Sequence, residues 1–103
     1  MQLIMCGRGM VLTPPFKAVV ARKLTKLARL GPQILDARVI CVVEKFRRTV
    51  RLTLRARRRT FSAAATAADL LAAVDAAVGA LSRQVSEEKR RRRARLHSPP
   101  RVA

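Results

Sequence analysis

Tryptophan and tyrosine are absent from this chain, and phenylalanine occurs only at positions 16, 46 and 61. Reading single-stranded nucleic acid by stacking needs several exposed rings, so the sequence argues against that mode of binding. Acidic groups are almost as scarce, six against 23 Lys and Arg, with none before Asp36. They are scattered, and Glu87-Glu88 adjoin an arginine run that keeps them ionised and solvated, so no carboxylate pair is placed for general acid–base work. A single histidine, His97, and two cysteines, Cys6 and Cys41, without Cys-x-x-Cys spacing cannot assemble a zinc site. Both cysteines are expected to be buried, reduced thiols of a cytosolic protein. With four glycines in all, Gly7-Arg8-Gly9 lacks the third glycine of a nucleotide-binding loop. No catalytic residue, cofactor, metal or small-molecule substrate is therefore expected.

Long apolar runs are missing too. The best membrane-span candidate, 63–81, is interrupted by Asp69 and Asp75, each costing about 2.5–3.5 kcal/mol at a helix centre. Arg8 and the Pro14-Pro15 pair break any signal-peptide core. The acid-free N-terminus is similar in composition to a mitochondrial presequence, but the whole chain is equally Arg-rich.

What remains is basic charge on a foldable body. The 103 residues have room for one domain, and the formal net charge is +17. Hydrophobic residues make up 50%, of which 17 are Ala and 26 are Leu, Val or Ile, enough for one modest core. The cations are spread over all thirds of the chain, so the folded body itself is cationic and a polyanion is the expected partner. With few rings available, phosphates and the shape of structured RNA are the expected targets. Phe46, at a hairpin tip, is read either as a stacking ring or, more blandly, as a partly buried loop residue.

Gln2–Arg8 reads as a strand with Leu3 and Met5 on one face. Thr13 before Pro14 is an N-cap with Pro at the first helical position. Phe16, Val19, Val20, Leu24 and Leu27 then recur at helical spacing until Gly31-Pro32. The next segment alternates. With Lys45–Arg48 as a four-residue loop, Val43/Val50, Cys41/Leu52, Val39/Leu54 and Ala37/Ala56 pair on one apolar face. Val42/Arg51, Ile40/Thr53, Arg38/Arg55 and Asp36/Arg57 fall on the other. If Arg58-Arg59 turn the chain, Phe61, Ala63 and Ala65 join the apolar face, although Ala63–Ala68 fits a helix equally well by propensity. Thr66-x-x-Asp69 reads as a capping box opening a second helix with Leu70, Leu71, Val74, Val78, Leu81 and Val85 on its apolar stripe. That helix runs into Lys89–Arg93, which should fray unless an anion is bound, and residues 96–103 form a tail expected to be disordered. The predicted order is β-α-β-β-β-α, a two-layer α+β sandwich with a four-stranded sheet and both helices on one face. Cys6 then points away from the helices and Cys41 toward them, so no intramolecular disulfide is expected.

Several of these residues recur together in one family: Gly7-Arg8, Val11-Leu12-Thr13, Lys23-Leu24-x-Lys26-Leu27, Val43-Glu44-Lys45, Asp69-x-x-x-Ala73-Val74-Asp75 and Leu81-x-Arg83-Gln84. Over residues 1–93 the chain resembles the ribosome hibernation-promoting factors, also called ribosome-associated inhibitor A or sigma-54 modulation proteins, in their short form. The resemblance implies residues 1–95 as a ribosome-binding domain similar to double-stranded-RNA-binding domains. It also implies occupancy of the small subunit's decoding channel, where mRNA and tRNA would be blocked sterically, and a cytoplasmic protein that is monomeric when free. Arg8, Lys23, Lys26, Lys45, Arg83, Lys89 and Arg90 match the family's basic pattern. These are the expected rRNA phosphate contacts, with Arg22, Arg29, Arg47, Arg91, Arg92 and Arg93 added to them. Departures are Ala80 where Lys is common, Leu71 where an aromatic is common, and Arg57-Arg58-Arg59 in place of a milder turn.

Three other readings stay open on sequence alone. Charge would suffice for a general nucleic-acid binder, the sigma-factor name raises a protein-interaction module, and a cationic amphipathic helix could act on membranes. The apolar stripes of both helices are needed by the sheet, which weighs against the last.

Overall fold

A computed structural model describes residues 2–30 and 33–97. The element order is β1 (Gln2–Arg8), α1 (Pro14–Ala28), β2 (Ile34–Glu44), β3 (Arg47–Ala56), β4 (Thr60–Ala67) and α2 (Leu70–His97). The sheet runs β1-β2-β3-β4, with β1 parallel to β2 and the other two pairs antiparallel. Parallel β1 and β2 require a crossover, which α1 supplies. The sandwich is therefore the one the alternation and the two amphipathic stripes imply.

Burial follows the alternation. Ala37, Val39, Cys41, Val50, Leu52, Leu54, Ala56 and Phe61 line the covered face of the sheet, and Val20, Leu24, Leu27, Val74, Leu81 and Val85 meet them from the helices. Ala73 and Ala77 are also fully buried, whereas Leu71 is 44% exposed. Small residues set the buried seam at the start of α2, which faces the alanine-rich β4.

Thr13 caps α1 as expected, its Oγ1 accepting the Phe16 N–H at 3.4 Å ahead of Pro14 and Pro15. The helix closes at Ala28, where Arg29 and Leu30 donate to the Lys26 and Leu27 carbonyls in a tightened last turn. The expected stop, Gly31-Pro32, lies outside the described residues.

The register differs from the sequence reading at both hairpins. Ala37 pairs with Leu54, Cys41 with Val50 and Asp36 with Arg55, two residues away from the expected partners. The loop is not Lys45–Arg48: strand pairing continues to Glu44 and Arg47, leaving Lys45-Phe46 as a two-residue turn with Lys45 at φ 40°. The second turn is longer than expected, with Thr60 opposite Arg55 and the Ala56 N–H donating to the Arg59 carbonyl at 2.9 Å. A two-residue slip returns every side chain to its own face, so alternation constrains faces and leaves registers two apart equivalent.

Two further expectations are corrected. Residues 60–67 are strand, and Thr66 lies inside it with its hydroxyl 3.0 Å from that of Thr49. The capping box is therefore not formed. Asp69 caps α2 instead, its Oδ2 accepting the Ala72 N–H at 3.3 Å. The helix extends to His97, so Leu96 and His97 belong to it and the remainder of the expected tail lies outside the described residues.

Candidate nucleic-acid interface

Among the described residues five of the six carboxylates are engaged, Glu44 beside the Lys45 turn being the exception, and that determines which cations remain available. Asp36 accepts both Nε and Nη2 of its cross-strand partner Arg55 on one oxygen, at 2.7 and 2.5 Å. Asp75 holds Lys23 at 2.6 Å, and Glu88 holds Arg59 at 2.5 Å with Arg92 at 3.9 Å. Glu87 lies 3.9 Å from Arg90 within α2, and Asp69 caps the helix. Pairs with at least one partner in solvent, as all of these have, contribute about 1 kcal/mol or less each. Their larger effect is to orient a few basic side chains while most of the cationic surplus stays solvent-facing.

That surplus is organised by the fold into groups. At the end of the sheet where β1 finishes lie Arg8 and the Lys45-Phe46 turn followed by Arg47. Gly9, at φ +73°, brings the β1–α1 loop so close that a Cβ there would sit 2.5 Å from the Val43 carbonyl oxygen. Phe46 is 87% exposed, so the partly buried reading is wrong and a ring stands free between two basic residues. Val11 is exposed nearby in the loop after β1.

On α1, Arg22, Lys26 and Arg29 recur at i, i+4 and i+7 on the outward side, all exposed, spanning roughly 10 Å of helix. Lys23 is set apart from them: it is half-buried and turned to α2. On α2, Arg83 and Arg90 line a groove with Ala80, Ser82, Ser86 and Glu87. Lys89, Arg90 and Arg93 meet Leu30 at the end of α1 in a second groove. Arg91 and Arg92 are exposed on the same stretch. Twelve of the thirteen expected contacts therefore fall into an α1 stripe, the far half of α2 and the Lys45 turn, Lys23 being paired with Asp75 on α2, and they do not converge on one pocket.

Sequence reasoning missed two cationic surfaces. One is the uncovered face of the sheet. Reading across the strands, its middle rows are Ile4–Arg38–Thr53–Ser62, Cys6–Ile40–Arg51–Ala64 and Arg8–Val42–Thr49–Thr66, between Gln2–Asp36–Arg55–Thr60 at one end and Glu44–Arg47 at the other. The three arginines of these middle rows occupy different rows and different strands, each beside neutral neighbours, which avoids the cost of like charges directly opposite. The alternation already assigned Arg38 and Arg51 to this face, and the signal was the neutrality of their surroundings, since the face's two acids, Asp36 and Glu44, lie at opposite ends of β2. The other surface is the β3–β4 turn, Arg57–Arg59.

Nothing in these surfaces resembles a catalytic centre. Among the described residues no charged side chain is buried, and no three His, Cys, Asp or Glu come together. Cys6 is exposed on the open face, contrary to expectation, while Cys41 is buried in the core, where desolvation and then the proximity of Cys6 raise its thiol above the ordinary range. No helix among the described residues is long and apolar enough to cross a membrane.

Residues 3–93 match the family described as sigma 54 modulation protein / S30EA ribosomal protein. Among solved structures, a ribosomal subunit interface protein from Coxiella burnetii superposes with a TM-score of 0.76 at 25% identity, covering 86% of this chain and 98% of that one. The N-terminal domain of Thermus thermophilus Protein Y gives a TM-score of 0.78 at 24% identity, covering 85% and 99%, a likeness that bears on the fold. No curated protein matches.

Proposed function

The chain belongs to the sigma 54 modulation protein / S30EA ribosomal protein family, and from that premise we propose that it binds the small ribosomal subunit in the decoding channel and sterically blocks mRNA and tRNA. The observation that carries the reading is the distribution of unpaired cations over both layers and both ends of a thin body. Its principal extents are 59 × 24 × 17 Å. A wedge of that shape, basic on the helix side, the sheet side and the turns, suits a slot walled by RNA on several sides better than a single flat patch would. Inhibition on this account involves no reaction, only occupancy. The protein would act in the cytoplasm as a monomer until bound, with rRNA as its ligand.

Phosphate contacts dominate such binding, so affinity should fall steeply with salt, by about 0.7–0.9 log units per log unit of salt for each phosphate neutralised. The test is competition on purified small subunits. Preloading mRNA and P-site tRNA should exclude the protein, and prebound protein should block later tRNA binding. Simultaneous binding of all three would remove the channel from the proposal.

Charge on every face also suits a general binder of structured RNA. In that case bulk tRNA would compete with ribosomes in proportion to its phosphate concentration.

A further inference from the structure

One strongly cationic cleft contains residues outside the expected contact set. The turn between β3 and β4 and the far half of α2 close around a cleft of about 320 Å³ lined by Gln33, Arg57, Arg58, Arg59, Glu88 and Arg92, with Ala56 and Phe61 at its base. Four guanidinium groups face one carboxylate. Glu88 is only 13% exposed at its side chain, and it fixes Arg59 while standing near Arg92. The Arg59 guanidinium also lies 4.9 Å from the centroid of the buried Phe61 ring, so it is braced on two sides. Arg57 and Arg58 are exposed and have no acidic partner among the described residues.

Braced arginines beside free ones form a preorganised anion site, because the planar fork of a guanidinium matches phosphate oxygens and loses little freedom when already held. We propose that this cleft binds backbone phosphates of an RNA segment separate from the one met by the Lys45 turn, a proposal that rests on the RNA-binding reading above. RNA is favoured over an acidic protein segment because the described lining residues present no exposed apolar anchor, which protein interfaces use as their energetic centre. The two sites are separated by the length of β3, ten residues or about 33 Å. That is several times the screening length of ~8 Å at physiological salt, so the two ends contribute independently to the salt dependence.

The experiment compares the full chain with the double variant Arg57→Ala/Arg58→Ala, and with Arg83→Ala as a reference for the helix-side contacts. Binding to purified ribosomes is measured across a salt series at constant Mg²⁺, and thermal melting serves as a check on folding. The double variant should melt as the wild type does and lose about 1.4–1.8 units of salt slope. An unchanged slope, with Arg83→Ala still lowering it, would overturn the cleft and leave ribosome binding intact. Failure of the wild type to bind ribosomes would instead overturn the proposed function. The cleft is then judged on a second arm, a 16-base-pair RNA duplex and polyglutamate as probes. Selective loss of duplex binding in the double variant supports the proposal. Equal loss of both ligands, or of neither, contradicts it.

Discussion

Lys23 Nζ lies 2.6 Å from Asp75 Oδ1, joining α1 to α2 across the helix layer. Of the basic residues in the Lys23-Leu24-x-Lys26-Leu27 motif, one is thus tied to the protein itself and the other, Lys26, faces solvent. Family pattern treats the two alike, whereas the structure separates their roles.

Lys26→Ala should therefore lower the salt slope of ribosome binding by about one unit. Lys23→Ala should lower it less and should cost up to about 1 kcal/mol of stability instead. Asp75→Asn frees Lys23 and is expected to tighten binding. Binding isotherms at several salt concentrations check all three, and equal slopes for the two lysine variants would refute the separation.

The Lys45-Phe46 turn should show opposite effects on folding and on binding. Lys45 sits at φ 40°, where a side chain clashes with its own backbone and glycine does not. Lys45→Gly is expected to stabilise the free protein by about 0.5–1 kcal/mol, seen as a higher melting temperature, while weakening RNA binding. A variant that lost both would show that the turn is not strained.

Exposed Phe46 separates stacking from charge at the same turn. If its ring stacks on a base, Phe46→Ala should weaken binding by about 1–3 kcal/mol with the salt slope unchanged. Titrations of the variant at two salt concentrations distinguish this from loss of a phosphate contact, which changes the slope.

The two cysteines should differ in reactivity. In the native protein an aromatic disulfide reagent at neutral pH should titrate one thiol, Cys6, and in denaturant both. The folded state raises the Cys41 thiol, so it holds that proton more tightly than the unfolded chain does. The resulting stability is present below the ordinary thiol range and is lost as pH climbs above about 8.5. Cys41→Val should flatten that alkaline decline, measured by denaturant melts against the wild type at each pH.

Particular residues show where sequence was enough. Thr13-Pro14 marked the start of α1 because capping chemistry is local. Alternation sorted β2, β3 and Phe61 onto the right faces because a single slip would expose the core. The hairpin registers were not legible, since slips of two preserve faces and neither turn carries the Gly or Asn that would identify it. Lys45 takes up a strained conformation that its type does not announce. In α2, Ala73 and Ala77 occupy buried positions while Leu71 faces out, because closeness to the alanine-rich β4 favours small residues over large ones. The site was legible as charge and as a family pattern. The division of its cations into paired and free was not, since Lys23–Asp75 and Arg59–Glu88 join segments far apart in the chain.

Sedimentation of the protein with purified ribosomes and isolated subunits, at physiological salt and Mg²⁺ with excess bulk tRNA, distinguishes a dedicated site on the small subunit from general polyanion binding. Saturable one-to-one retention on the small subunit despite the competitor is the predicted result. Many copies spread over both subunits, or complete stripping by bulk tRNA, would contradict it.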